Sequence, residues 1–167
     1  MYGADMTRSS SDLGRTPSRD EVRAINARMV EQFLAQDPQP LTDGHHAVRV
    51  LETRGRVTGQ ARRTPLGLTQ VDGVHYLVSP DRGRDWVRNL TAEPRCALVV
   101  KNGPHPRIAS PVTGDEAVTA IATYLATMRV PWALRAFPVA PDAPHEEIAA
   151  HLDTIAVFRL DPADGAR

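Results

Sequence analysis

The dipeptide Asp72-Gly73 constrains this chain more than any other pair of residues. It sits between two strand-like runs, residues 63–71 and Val74–Ser79. A tight two-residue turn needs backbone angles that Gly and Asp tolerate, so the pair predicts a hairpin. Leu66 and Leu68 would share one face of the first strand. Val74, Tyr76 and Val78 would share one face of the second.

Other elements follow from local signals. Residues 18–36 read as a helix: Ser18 with Glu21 is a capping-box pattern, and Val22, Ile25, Met29, Phe33 and Leu34 form an apolar stripe expected to face the core. Residues 47–54 alternate as a strand, and 55–59 form a turn. A loop at 80–83 leads to a short helix at 84–90. Residues 95–101 are apolar on both faces, which predicts a central strand. Residues 102–104 form a turn and 107–113 a further strand. Thr113 with Glu116 repeats the capping box before a helix at 115–128. A proline-rich loop (Pro131, Pro138, Pro141, Pro144), a short helix at 145–152 and a closing strand at 155–160 complete the order.

Strands in antiparallel succession with few helices suit a small α+β barrel better than a βαβ repeat. The length, 167 residues, predicts one domain at 18–162, with a disordered tail at 1–17 and a short tail at 163–167. No apolar stretch approaches the ~18 residues that span a bilayer, and the N-terminus lacks a secretion signal, so stable membrane insertion is not expected and the cytoplasm is the expected location. Cys96 is the single cysteine. It cannot form an internal disulfide and is expected to pack in the core, with nothing nearby to depress its pKa.

Net charge is zero, so nothing pulls the whole chain toward nucleic acid. The aromatic platform or basic helix of a nucleic-acid binder is also missing. Locally, Arg49, Arg54, Arg56, Arg62 and Arg63 gather against one acid, Glu52. Gly55 and Gly59 within that cluster let the chain turn sharply and present N–H groups. Arginine on both sides of such a turn suits phosphate oxygens, through paired, charge-assisted hydrogen bonds. A solvated basic turn is the competing reading. The segment is neither a P-loop nor a dinucleotide fingerprint. His45-His46 has no carboxylate or cysteine spaced for a metal and is expected in a surface loop.

The run Gly55-Arg56-Val57-Thr58-Gly59-Gln60-Ala61-Arg62-Arg63-Thr64-Pro65-Leu66 resembles the Gly-Arg-Lys-Ser-Gly-x-x-Arg-x-x-Pro-Leu motif of the deazaflavin-dependent nitroreductase and quinone reductase family. The Asp72-Gly73 hairpin ending at Ser79 is similar to that family's hairpin. Trp86-Val87-Arg88-Asn89-Leu90, followed by Pro94, is similar to its Trp-x-x-Asn-Leu signature. The resemblance spans residues 21–162. It implies a split β-barrel, FMN-binding-like, of about six mostly antiparallel strands with flanking helices. It also implies coenzyme F-420, an 8-hydroxy-5-deazaflavin, as cofactor. Arg56, Val57 and Thr58 would meet the cofactor phosphate or tail, and Arg62 would pair with phosphate. Arg63, Thr64 and Pro65 would line the cleft, Val78 and Ser79 would approach the ring, and Asp85, Trp86, Val87 and Asn89 would cover the other side.

The implied chemistry is hydride transfer to a quinone, nitro or conjugated-alkene small molecule, with the cofactor carrying the hydride. Trp132 and Phe137 stand where the family has a tyrosine-rich substrate segment, and are the candidate substrate-pocket residues. Three departures mark this chain. Val57 replaces the motif's lysine, the loop at 80–85 is short, and that tyrosine-rich segment is absent. The alternatives are a barrel that has lost the redox cofactor and binds or transforms a small molecule, in secondary metabolism for example, or an FMN-binding reductase using the same arginine cradle. A homodimer is expected by analogy alone.

Overall fold

Ser18 opens the first helix with a reciprocal cap. Its hydroxyl accepts from the Glu21 amide at 3.2 Å, and the Glu21 carboxylate accepts from the Ser18 amide at 2.6 Å. Two free helix-end donors are thereby satisfied, and α1 runs Arg19–Ala35. The computed structural model describes residues 16–163. The expected tails at 1–17 and 163–167 lie almost wholly outside the described residues.

The expected stripe on α1 is only half correct. Val30, Phe33 and Leu34 pack against Val50 and Val99, but Val22 and Ile25 remain 40% and 43% exposed. The helix docks through its second half, and its first half stands off the barrel.

Six strands follow: β1 (His45–Arg54), β2 (Ala61–Val71), β3 (Val74–Ser79), β4 (Arg95–Val100), β5 (Gly103–Pro111) and β6 (Ala156–Pro162). All neighbouring pairs are antiparallel, and the order β1-β2-β3-β6-β5-β4 closes a barrel. The hairpin turn has positive φ at both Asp72 (50°) and Gly73 (77°), matching the right-handed twist of its strands. Asp43 fastens it: its carboxylate accepts from the Gly73 amide at 2.8 Å and from the Gln70 side chain at 2.9 Å.

Strand alternation divides the core in two. Leu51, Leu68, Leu77, Leu98, Phe158 and Leu160 fill the barrel, and Trp86, Val87 and Leu90 of α2 (Asp85–Ala92) join them. Tyr76, Val78 and Val157 face outward beneath α3 (Gly114–Thr127), α4 (Pro131–Arg135) and α5 (His145–Ala149), meeting Ile121, Leu125, Phe137 and Ile148. No helix among the described residues is long and apolar enough to cross a membrane.

Four sequence expectations need correction. His45 and His46 open β1 rather than lying in a loop. β5 starts at Gly103, where a turn was expected. The proline-rich loop contains α4, with Pro131 in its first turn. Thr113 caps α3 without a side-chain hydrogen bond, and the reciprocal half of the box is also missing, because the Glu116 carboxylate accepts instead from the Tyr76 hydroxyl at 2.8 Å and from Arg159 at 3.2 Å.

The barrel has a seam. β2 pairs with β1 back to Ala61, but with β3 only from Leu68 to Val71. Residues 61–67 of β2 therefore run past the last β3 pairing, and α2 lies at that end of the barrel.

Candidate functional site

The glycine turn is built at the start of this unpaired stretch. The Gly55 amide donates to the Gln60 carbonyl at 2.7 Å, and the Gly59 amide donates to the Gly55 carbonyl at 2.8 Å. Gly59 has φ +72°, and a Cβ on Gly55 would lie 3.2 Å from both the Gln60 carbonyl and the Thr58 hydroxyl. Glycine is thus favoured at both positions, at Gly59 for its backbone angle and at Gly55 because a Cβ would crowd the turn. Arg54 braces the turn by donating to the Gly59 carbonyl at 2.9 Å. Val57 projects from the turn, 87% exposed.

The arginine cluster resolves into distinct roles. Arg49 donates to the Gln39 and Val48 carbonyls and faces away. Arg63 is paired with Glu52 at 2.9 Å. Arg56 lies along α2: its guanidinium donates to Asn89 Oδ1 at 2.8 Å and meets the Asp85 carboxylate at 3.2 Å. Arg62 is exposed and makes no hydrogen bond or ion pair among the described residues, and its stem passes beside Gly55. An unpaired guanidinium next to a glycine turn is the donor set a phosphate needs. The residues present therefore fit a phosphate-bearing cofactor.

Asn89 ties three segments together. It is 4% exposed. Its Oδ1 also accepts from the Arg56 backbone amide at 3.2 Å, and its Nδ2 donates to the Thr53 hydroxyl at 3.3 Å. Thr53 received no role from the sequence. Its contact joins residues 36 apart, and no local pattern signals such a contact.

The remaining candidates are distributed as follows. Thr64 and Pro65 are half-buried on the part of β2 that β3 does not pair. Val78 and Ser79 end β3 and are buried. Ser79 Oγ donates to the Asp81 carbonyl at 2.7 Å, tightening the short loop that leads to α2. Trp86 and Val87 point into the barrel, where the Trp86 ring lies 6.2 Å from Phe158. Trp86 Nε1 is buried without a hydrogen-bond partner, an orphaned donor beneath α2. Phe137 packs inward, 5.5 Å from Tyr124, whereas Trp132 is 66% exposed on α4. The structure brings together Arg56, Asp85 and Asn89 around the turn, and places Arg62 beside it. It does not bring Trp132 and Phe137 onto one wall.

A groove of about 390 Å³ opens where β1 and β4 diverge beyond Glu52 and Ala97, and Thr53, Arg54 and Ala61, which flank the glycine turn, form part of its wall. Arg54, Glu52, Glu93 and Arg95 line it, and each is already hydrogen-bonded within the protein. Half-buried Cys96 also lines it, and burial pushes the thiol pKa up to about 11.

A closed antiparallel barrel with flanking helices, part of β2 left unpaired with β3 beside an arginine-bearing glycine turn, defines a split barrel. The sequence profile of the F-420H(2)-dependent quinone reductase family matches residues 22–136, from α1 through α4, and the chain belongs to that family. Among curated proteins, none matches. Several solved structures are similar to this chain, three of them as follows. An F-420H(2)-dependent reductase is 22% identical, with 74% of this chain and 99% of that one covered and a TM-score of 0.44. A conserved hypothetical protein from Mycobacterium tuberculosis is 14% identical, with 88% and 81% covered and a TM-score of 0.47. A heme binding protein from Mycobacterium smegmatis is 19% identical, with a TM-score of 0.46; the alignment covers 89% of this chain and 52% of that protein.

Proposed function

We propose that this chain is a deazaflavin-dependent oxidoreductase that moves a hydride from reduced coenzyme F-420 to a quinone, nitro or conjugated-alkene small molecule. Family membership supports the cofactor class. The observation that carries the reading is Arg62, a guanidinium without an internal partner beside the glycine turn.

In this reading Arg62, Thr58 and the turn at Arg56 and Val57 hold the phosphate and tail. Arg63, Thr64 and Pro65 border the cleft on the unpaired part of β2. Val78 and Ser79 back the ring, and Asp85, Trp86 and Val87 close the far side, with Asn89 buried behind them. The cofactor supplies the hydride when bound. The chain's own residues orient it and keep water out, which is why no acid–base dyad is required of them. Trp132 offers an aromatic face to an acceptor near α4, and Phe137 supports that segment from beneath.

A second reading, a family barrel that binds a small molecule without the redox cofactor, is favoured by Val57. This exposed apolar side chain stands where the family motif has a cation. FMN is the other cofactor that the same arginine could grip.

One titration separates them. Purified protein is mixed with oxidised or reduced F-420, or with FMN, and fluorescence is followed. Deazaflavin binding that Arg62→Ala abolishes supports the reading. Binding of FMN alone moves the chain to the flavin reading. Binding of neither removes both redox readings.

A further inference from the structure

We infer that Asn89 is a positioning residue: it gives the glycine turn its phosphate-receiving shape by holding Arg56, and does so without itself touching the cofactor. The inference rests on the proposed cofactor site and deepens it.

Asn89 is 4% exposed, so its amide has almost no surface to offer a ligand. Its polar atoms are also already engaged. Oδ1 receives two hydrogen bonds from one residue, the Arg56 backbone amide at 3.2 Å and Arg56 Nη1 at 2.8 Å, while Nδ2 donates to Thr53 Oγ1 at 3.3 Å. A carboxamide is suited to this task because it accepts on one side and donates on the other. Arg56 follows Gly55, the residue whose amide and carbonyl close the turn. Fixing the Arg56 backbone therefore fixes the entry to the turn. The Arg56 guanidinium, held by Asn89 and Asp85, is a strut rather than an open hand. Arg62 is left as the cation that meets the phosphate.

The test compares affinity for oxidised F-420 in the wild type, Asn89→Ala, Asn89→Asp, Arg56→Ala and the Asn89→Ala/Arg56→Ala pair. Loss of two hydrogen bonds to a buried acceptor predicts about a tenfold loss of affinity in Asn89→Ala. Asn89→Asp keeps the acceptor and is expected to recover most of it. Because Asn89 acts through Arg56, the double variant should bind no more weakly than the weaker single variant. In the protein without cofactor, amide exchange at Arg56 should accelerate about tenfold in Asn89→Ala, while amides of β6 exchange as before. If Asn89→Ala does not fold, Thr53→Val, which removes the hydroxyl that seats the Asn89 amide, is expected to give the same pattern at smaller amplitude.

Wild-type binding that Asn89→Ala leaves within twofold overturns this inference alone. So does a double variant whose loss is the product of the two single losses. A wild type that binds no deazaflavin overturns the cofactor reading and this inference together.

Discussion

The Tyr124 ring rests on Gly67: a Cβ at that position would lie 3.0 Å from Tyr124 Cε2 and 3.2 Å from His46 Cδ2. Gly67 is the β2 residue just before the β3 pairing starts. Its missing side chain lets α3 lie flat across the barrel near the seam. Tyr124 is in turn wedged between His46, 5.6 Å away, and Phe137, 5.5 Å away.

Gly67→Ala should therefore destabilise the fold rather than stabilise it through the unfolded chain. The neighbours are packed rings, not flexible chain ends, so relief requires α3 to move. Overpacking of this kind costs about 1–3 kcal/mol. Urea denaturation of the two proteins measures it. An alanine variant as stable as the wild type would show that α3 yields freely and that the contact carries no weight.

Burial predicts an inert thiol at Cys96. The Sγ donates weakly to the Arg107 carbonyl at 3.7 Å, and its pKa is pushed up to about 11. At neutral pH the reactive thiolate is therefore scarce. Alkylation by iodoacetamide near pH 7.5 should run at least tenfold slower than with a free cysteine of pKa about 8.5. The rate should climb steadily toward pH 10. Rapid labelling at neutral pH would place Cys96 in an open, polar setting instead.

How much of this was legible in the sequence depends on the reach of each interaction. The α1 cap, the Asp72-Gly73 hairpin and the α2 segment were legible because their signals lie within a few residues. The start of β5 was hidden because Asn102-Gly103-Pro104 reads as a turn, whereas the strand carries both Pro104 and Pro106. Its first residues pair only with β4, and β6 joins from Arg107 onward, so the missing amides cost the barrel no ladder bond there. Pro131 sits in a proline-rich run that reads as a loop, yet the first turn of a helix tolerates proline well and α4 starts there. Glu116 matched a local capping rule but was captured by Tyr76 and Arg159, 40 and 43 residues away. The site divides the same way. The glycine turn and its arginines were visible, but which arginine stays free was not. That was decided by Glu52, Asp85 and Asn89, and only the folded chain places those partners.

The two half-buried histidines predict a particular pH dependence. Burial lowers the pKa of His46, and the nearby His45 and Arg129 charges lower it further. His75 is lowered by burial and by Arg107 and Arg49. His46 Nδ1 sits 2.7 Å from Thr127 Oγ1 and His75 Nε2 sits 3.0 Å from Gln70 Oε1, contacts that neutral rings make readily. As the pH falls, the unfolded chain takes up these protons first, near the ordinary value of 6.5. The unfolded state then binds more protons than the folded state, so stability must rise with pH in that window. Stability is fully present above about pH 6.5 and declines below it, until the folded rings are protonated as well. Urea midpoints recorded between about pH 8 and pH 5 should follow that curve. A His46→Gln/His75→Gln variant should flatten it between about pH 6.5 and pH 5, above the range where most carboxylates titrate. A wild-type midpoint that stays constant across the window, or a slope the double variant leaves intact, would remove these rings as its source.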